Sequence, residues 1–341
     1  MDILILGIDG YIGWPLAKYL RELGHNVSGV DNFSRRRLSS GLFDIESIED
    51  RQKEFPIEKC YIEELKHIDA DVVIHLAEQP SASWSMSKYG SITTQRHNVL
   101  GTLNLLWLLK DNPTHLIKLG TMGEYGTPDC DIPEGFIESG EMKGMMFPRK
   151  PGSFYHLSKV FDSMNIEFAC RMWGLDSTDI MQGVVFGVGG RLDYDEHFGT
   201  VLNRFCIQAI NGDLLTVYGD GGQTRGYLPI EDSIECLTLA IDNPADGYRV
   251  FNQFAKTYSV NELADIVINC AKDLGIYAHK TNINNPRIEE EEHYYNPKHD
   301  KLAELGYNPT WDIKYKVLNL LKFVSKYKKN IRTSLPKTNW K

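Results

Sequence analysis

The 341 residues carry 37 Lys+Arg against 46 Asp+Glu, a formal net charge of -9, with 42% hydrophobic and 24% charged residues. This is ordinary globular composition, long enough for one large or two closely joined domains around a sizeable core. It argues against a nucleic-acid partner, which demands a clustered basic surface, and no apolar run reaches the ~18 residues of a membrane span, so no membrane insertion is expected.

In chain order, a first strand is predicted at residues 3–6, so close to Met1 that no leader is expected and a cytoplasmic location follows. Gly7-Ile-Asp-Gly10-Tyr-Ile-Gly13 then opens a helix at 13–23. Gly7 permits a tight turn, Gly10 a close backbone approach to a pyrophosphate, and Gly13 close helix–strand packing. The helix N-terminus offers free N–H groups to phosphate, so Gly7, Asp9, Gly10, Tyr11, Ile12 and Gly13 are candidate dinucleotide contacts. A second strand at 26–30 ends on Asp31, with Asn32 beside it; a carboxylate there holds ribose hydroxyls and repels a 2′-phosphate, favouring NAD over NADP. Arg35 and Arg36 weigh the other way, since arginines here can bind that phosphate; they are read as covering adenine or as solvated.

A strand at 71–75 leads into His75-Leu76-Ala77, with Leu76, Ala77 and Glu78 placed on the cofactor and Gln79 on the substrate. His75 is equally readable as a satisfied buried histidine. A helix at 98–110 begins at Asn98, a strand at 116–119 precedes Thr121, and a helix spans 154–173. A strand at 177–184 carries Gln182 and runs on to Val185. Strands alternating with helices read as βαβ units, hence an α/β, doubly wound parallel sheet of the Rossmann type over 1–185. Beyond it the rhythm breaks, and 186–225 with 255–330 are expected to form a smaller, interleaved C-terminal substrate domain, 226–254 returning to the first. Two glycine-rich stretches at 187–190 and 218–225 read as loops over a cleft. A strand is expected at 248–254, a helix at 260–274, and a basic surface strap from Lys326. Six scattered cysteines without a CxxC pair read as buried free thiols, and no metal cluster is expected.

Tyr155 and Lys159 stand four apart on one helical face. A phenol is a poor base at neutral pH, and a neighbouring ammonium stabilises its phenolate. Thr121 can hydrogen-bond the same substrate hydroxyl. With the glycine-rich turn, this constellation points to reversible hydride transfer between a carbinol and NAD.

In these residues the chain resembles the extended short-chain dehydrogenase/reductase family of nucleotide-sugar epimerases, decarboxylases and dehydratases. Asn98-Val-Leu-Gly101-Thr102 fits the family's sheet–helix contact, Arg225 its diphosphate-gripping arginine, and Arg287 with Glu290 its grip on the nucleotide. Within that family it resembles the UDP-sulfoquinovose synthases. The stretches that carry this are Lys118-Leu-Gly-Thr-Met-Gly-Glu-Tyr-Gly-Thr127, Ser153-Phe-Tyr-His-Leu-Ser-Lys159, Arg191-Leu-Asp-Tyr-Asp195 and Gly221-Gly-Gln-Thr-Arg-Gly-Tyr227. Two departures stand out. Pro80 replaces an arginine of the family, and Tyr61-Ile62-Glu63 stands where an aspartate usually meets adenine.

The resemblance implies UDP-glucose and sulfite as substrates and four steps: oxidation at C4, loss of water across C5–C6, addition of sulfite at C6, and reduction at C4. The resemblance places UDP across the second half, with Thr216, Val217 and Tyr218 as a backbone edge for uracil. Arg204, Arg225 and Arg287 are candidates for the diphosphate, and Asn203, Gln182 and Gln223 for orienting sugar and nicotinamide. The 4,6-dehydratases carry an Asp-Glu pair after the strand-end threonine; here Met122 and Gly123 stand there, which leaves His156, or alternatively Glu124, as acid/base for the elimination. Homodimerisation is implied through the helices at 98–110 and 154–173, while no sulfite-supplying protein is indicated. A UDP-glucose 4-epimerase or 4,6-dehydratase is the enzymatic alternative, and a non-catalytic dinucleotide sensor the alternative from another class.

Overall fold

The computed structural model describes residues 1–38, 46–112, 114–285 and 294–331. Twelve strands occur among them: β1 (Asp2–Leu6), β2 (Asn26–Val30), β3 (Ile57–Glu58), β4 (Val72–His75), β5 (His115–Thr121), β6 (Ser177–Gln182), β7 (Val184–Phe186), β8 (Leu215–Tyr218), β9 (Thr224–Pro229), β10 (Tyr248–Gln253), β11 (Lys256–Ser259) and β12 (Lys280–Ile283). Seven form an all-parallel sheet in the order β10-β6-β5-β4-β1-β2-β3. Their apolar residues alternate between two covered faces, as a sheet flanked on both sides by helices requires. Ile3 and Ile5 join Ile74, Ile117 and Leu237 on one side, and Leu4 and Leu6 join Val73, Leu105 and Ile166 on the other. Strand order reverses between β1 and β4, the place where such sheets bind ligands.

The strand expected at 177–184 is two. β6 belongs to the large sheet, whereas β7 pairs with β9 in a three-stranded sheet of order β11-β9-β7. The change falls at Gly183, whose N–H donates to Gln253 O at 2.7 Å and whose Cα faces Gly226 O so closely that a Cβ would lie 2.5 Å from it. The helix expected at 98–110 begins earlier: Lys88–Gln95 is α-helical, Arg96–Leu100 is one wider π turn, and Gly101–Leu109 continues it. The helix Phe154–Trp173 has the expected bounds, opened by the Ser153 side chain accepting from His156 N and closed by Gly174 at φ 72°.

A second lobe holds the parallel pair β8 and β12 and the helices Val201–Asn211, Val260–Asp273 and Ile313–Lys326. Its core contains Phe205, Val217, Leu263, Val267 and Leu321. Of the surface strap expected from Lys326, Lys326 itself ends this last helix and Ile331 packs into the same core, while 332–341 lie outside the described residues. Of the cysteines, four are buried, Cys60 is half-buried and Cys130 is exposed, so the expectation of buried thiols does not hold for Cys130. Among the described residues no helix is long and apolar enough to cross a membrane.

Candidate active site

A cleft of about 500 Å³ opens where β1, β2, β4, β5 and β6 end, lined by Gly7, Asp31, Leu76, Thr121 and Gln182. Its floor is the glycine turn. Gly7 has φ 88°, and a Cβ there would lie 2.8 Å from Ala77 N; a Cβ on Gly13 would lie 2.3 Å from Gly7 O. The following helix has no acidic residue in its first turn and no side-chain cap; Trp14 N donates to Gly10 O, Leu16 N to Ile12 O and Pro15 has no N–H, so Gly13 N is the first-turn donor left to a ligand. Gly10, Tyr11 and Ile12 also line the cleft.

Asp31 lines it as well. Its Oδ2 accepts from Asp9 N at 2.9 Å and its Oδ1 from Phe33 N at 2.8 Å. Burial, and then the charge of Asp9, push this carboxyl up to about 6. Asn32 is beside it on the cleft wall. Asp9, expected on the cofactor, turns inward: its two oxygens take Arg36 at 2.7 Å each, and Oδ1 also takes Arg51 Nη1 at 2.7 Å. Asp9 is therefore the clamp of an arginine pair rather than a cleft residue. Arg36 is likewise off the cleft lining. Arg35 does line the cleft, held by Asp193 at 2.9 and 3.2 Å and lying 3.6 Å over the Phe198 ring.

Beyond β4, Ala77, Glu78 and Gln79 line the cleft. Asn98 does not. Its amide bridges Gln79 N (2.8 Å), Gln79 O (3.2 Å) and Ser158 Oγ (2.8 Å), tying this loop to the catalytic helix; it supports the wall from behind. Gln79 Oε1 accepts from Ser81 N at 2.5 Å. His75 is buried, with Nε2 3.2 Å from Thr102 Oγ1, and burial pushes it down to about 4, so it is neutral at physiological pH. Its alternative reading as a core histidine fits its place, although it is only half satisfied, since its buried Nδ1 has no hydrogen bond.

Tyr155 and Lys159 both reach the cleft from the helix Phe154–Trp173. The Tyr155 hydroxyl is hydrogen-bonded to Thr121. Thr121 in turn accepts from Gly123 N at 3.2 Å. Lys159 Nζ donates to Leu119 O at 2.6 Å and pairs with Glu78 Oε2 at 2.5 Å. The expectation that the ammonium pulls the phenol down is not met here: burial first, then Glu78 and Glu124, push Tyr155 above its usual value.

The two acid/base candidates for the elimination part ways. Glu124 is fully buried; it accepts from Lys118 Nζ at 3.2 Å and Ser163 Oγ at 2.9 Å and pairs with Arg149. It faces the core and is committed to that network, so the cleft role considered for it is lost. His156 is half-buried, with Nδ1 3.1 Å from Ser153 Oγ and its ring 5.0 Å from that of Tyr155. Its ring lies over Gly123, where a Cβ would come within 2.4 Å of Nε2. The histidine thus occupies the space that a side chain at 123 would fill.

Gln182, Val185 and Asn203 line the far wall. Gln182 Nε2 is held by Ser233 Oγ and Gln253 Oε1, each at 2.6 Å, and Asn203 accepts from Gly187 N at 2.9 Å. The other second-lobe candidates form a separate cluster outside this cleft. Arg204 donates to Tyr218 Oη and Thr216 Oγ1 at 3.0 Å each, Gln223 to Tyr218 O at 3.2 Å, and Arg225 to Thr224 O at 2.8 Å. Val217 is buried in the lobe's core, so only its backbone can meet a ligand. Arg287 and Glu290 lie outside the described residues.

Sequence reasoning gave no role to Arg191, Asp193 and Glu63, which also line the cleft. Arg191 is 1% exposed, with Nε 3.2 Å from Asp193 Oδ1. Glu63 Oε1 accepts from Arg96 Nε and His97 Nδ1, while its buried Oε2 has no hydrogen bond. That oxygen offers an acceptor at the place where an aspartate was missed in the sequence. Position just after a strand end was the available signal.

The model of the NAD dependent epimerase/dehydratase family matches residues 3–252. The chloroplastic UDP-sulfoquinovose synthase of Spinacia oleracea is 43% identical, over 99% of this chain and 79% of that protein. The UDP-sulfoquinovose synthase of Sulfolobus acidocaldarius is 40% identical, over 100% and 98%. Among solved structures, the UDP-glucose 4-epimerase of Thermotoga maritima with UDP-glucose superposes with a TM-score of 0.78 at 22% identity, over 96% of this chain and 99% of that one.

Proposed function

The chain belongs to the NAD dependent epimerase/dehydratase family, and we propose that within it the protein makes UDP-sulfoquinovose from UDP-glucose and sulfite, as the names of its relatives from Spinacia oleracea and Sulfolobus acidocaldarius suggest. The observation that carries the reading is the pairing of a complete Thr121–Tyr155–Lys159 set with the imidazole of His156 seated over Gly123. The first serves redox chemistry at a carbinol; the second lies beside Tyr155, just off the cleft lining, and in this reading replaces the carboxylates of a 4,6-dehydratase.

The residues present fit NAD. The glycine turn has no room for side chains, the helix N-terminus is uncapped, and Asp31 presents a carboxylate to ribose. Held by the glycine turn and Asp31, NAD would supply the redox chemistry, hydride acceptance from C4 of the sugar and its return. Tyr155 takes the proton of the C4 hydroxyl, with Thr121 orienting that hydroxyl and Lys159 fixing the local charge. The resulting C4 ketone acidifies the C5 proton, which makes loss of the C6 hydroxyl feasible. His156 takes the C5 proton and hands it to the C6 hydroxyl, which leaves as water; bisulfite then forms the C6–S bond to the C5=C6 enone while its proton passes through the same imidazole to C5. Tyr155 finally returns its proton to O4. The Arg204–Tyr218 cluster, with Arg225, receives the UDP portion, because arginine makes charge-assisted bonds to phosphate.

Incubation with NAD and UDP-glucose, with and without sulfite, followed by mass spectrometry of the nucleotide sugars tests the reaction. A sulfonated hexose formed only with sulfite supports it; UDP-galactose as sole product would point to an epimerase.

Two further expectations belong to this reading. Ionised Asp31 accepts hydrogen bonds from ribose hydroxyls, and protonation removes that acceptor. NAD affinity should therefore fall as pH drops through about 6, and Asp31→Asn should bind NAD more weakly and without that dependence, as calorimetry would show. The protein is also a homodimer in this reading, located in the cytoplasm. What supports dimerisation is a covered-face composition left exposed: Ile92, Leu100 and Trp107 on one helical stretch, and Phe161, Met164 and Phe168 on the helix packed beside it. Replacing Met164 and Phe168 together by glutamate should yield a monomer in sedimentation equilibrium; an unchanged dimer would place the interface elsewhere.

A further inference from the structure

Glu78 presents a buried carboxylate to the catalytic lysine. Its side chain is 2% exposed, and Oε2 lies 2.5 Å from Lys159 Nζ. The backbone around it is locked on both sides. Glu78 N donates to Leu76 O at 2.9 Å, and the next residue, Gln79, has its N–H and its carbonyl both held by Asn98. Asn98 also holds Ser158 Oγ, and Ser158 precedes Lys159. One amide side chain therefore fixes the carboxylate-bearing loop against the helix turn that carries the ammonium.

The groups facing Glu78 come from three directions. From β4, His75 Nε2 is 3.5 Å from Oε1, but burial keeps it neutral. From β5 and the turn after it, Lys118 and Glu124 pair with each other at 3.2 Å, within a buried network in which Lys118 also meets Asp179 of β6 at 3.4 Å and Glu124 also meets Arg149. From the helix come Tyr155, Lys159 and Asp162. Asp162 is fully buried, neither of its oxygens has a hydrogen bond, and burial followed by Glu78 pushes it well above the usual carboxylate value. Burial opposes ionisation of Glu78 too, yet the neighbouring ammonium groups, Lys159 foremost and Lys118 after it, hold it below its usual value. The ammonium and the carboxylate in direct contact beside Tyr155 are those of Lys159 and Glu78.

We propose that Glu78 is a positioning residue that fixes Lys159 and neutralises it, so that the pair, rather than the lysine alone, sets the pH at which Tyr155 exchanges its proton. This rests on the reading of Tyr155 as the proton acceptor at O4. Its consequence is chemical balance: the same phenol must accept a proton in the first step and return it in the last. An unopposed ammonium would favour the first direction and penalise the second, and Glu78 moderates that bias.

The test uses the NAD-loaded protein and UDP-glucose without sulfite, following NADH absorbance in a single turnover as a function of pH. In Glu78→Gln the rising limb of the rate should move down by about one pH unit or more, since Lys159 then acts unopposed. Glu78→Asp, which keeps the charge, should restore the wild-type limb. A limb that stays in place or moves up overturns the proposal, whatever happens to kcat. A second readout needs no turnover. In cofactor-stripped protein, Glu78→Gln should lower affinity for the cationic oxidised cofactor relative to the reduced one by about tenfold. The uncharged pair E78Q/K159M should restore the wild-type ratio; a ratio unmoved in the single variant, or still displaced in the pair, also overturns it. If no NADH appears with wild type at any pH, the reaction proposed above is at fault, and the binding ratio still decides the role of Glu78.

Discussion

Replacing Tyr155 by phenylalanine should slow the first formation of NADH from UDP-glucose by about a thousandfold. The hydroxyl is the one group of this side chain hydrogen-bonded to Thr121, and its removal leaves no proton acceptor beside that threonine. The rest of the residue's surroundings should persist. Ser153 still caps the helix, and the backbone N–H of residue 155 still donates to Ser85 Oγ at 3.0 Å. NAD affinity in Tyr155→Phe should accordingly stay within about threefold of wild type, because no part of the glycine turn or Asp31 is altered. A single-turnover absorbance measurement with a parallel calorimetric titration separates the two effects. A phenylalanine variant that forms NADH within about tenfold of the wild-type rate would remove the tyrosine from the role of acceptor.

Replacing His156 by alanine should have a different signature. Formation of NADH should be nearly unchanged, while release of sulfonated product falls by about a hundredfold. The separation follows from position: the ring lies over Gly123, the second position after the strand-end threonine. Gly123→Ala provides the complementary probe. Its added Cβ would come 2.4 Å from His156 Nε2 and must displace the ring, so it should reproduce much of the His156→Ala defect while leaving the histidine in the chain. Unchanged product formation in His156→Ala would end this assignment, since the other acid considered, Glu124, is sealed behind Lys118 and Arg149.

Local chemistry explains why parts of this were readable in the chain. The glycine turn follows a short apolar strand and repeats at the intervals a phosphate-binding turn requires, and all three glycines stand where a Cβ would collide. The helix Phe154–Trp173 begins after a serine cap and stops at a left-handed glycine, both local signals. Gly183 was less transparent, because residues on both of its sides are apolar or buried and hydrophobicity does not report which sheet a strand joins. The misplaced acids share one cause. Asp9 and Glu124 sit in motifs that face the cleft, but arginines far along the chain, Arg36 and Arg51 for the first and Arg149 for the second, turn them inward. Such pairings depend on tertiary contact and leave no periodic trace. The partnership of Glu78 and Lys159 was hidden for the same reason, although each residue alone was a candidate.

Conversion of UDP-glucose deuterated at C4, in the presence of sulfite and unlabelled NAD, tests the whole sequence of steps at once. Mass spectrometry of the product should show a sulfonated hexose nucleotide that keeps its deuterium at C4, because the hydride removed first is the one returned last within the same closed cleft. A product without sulfonate, or a sulfonated product that has lost the label, would contradict the account.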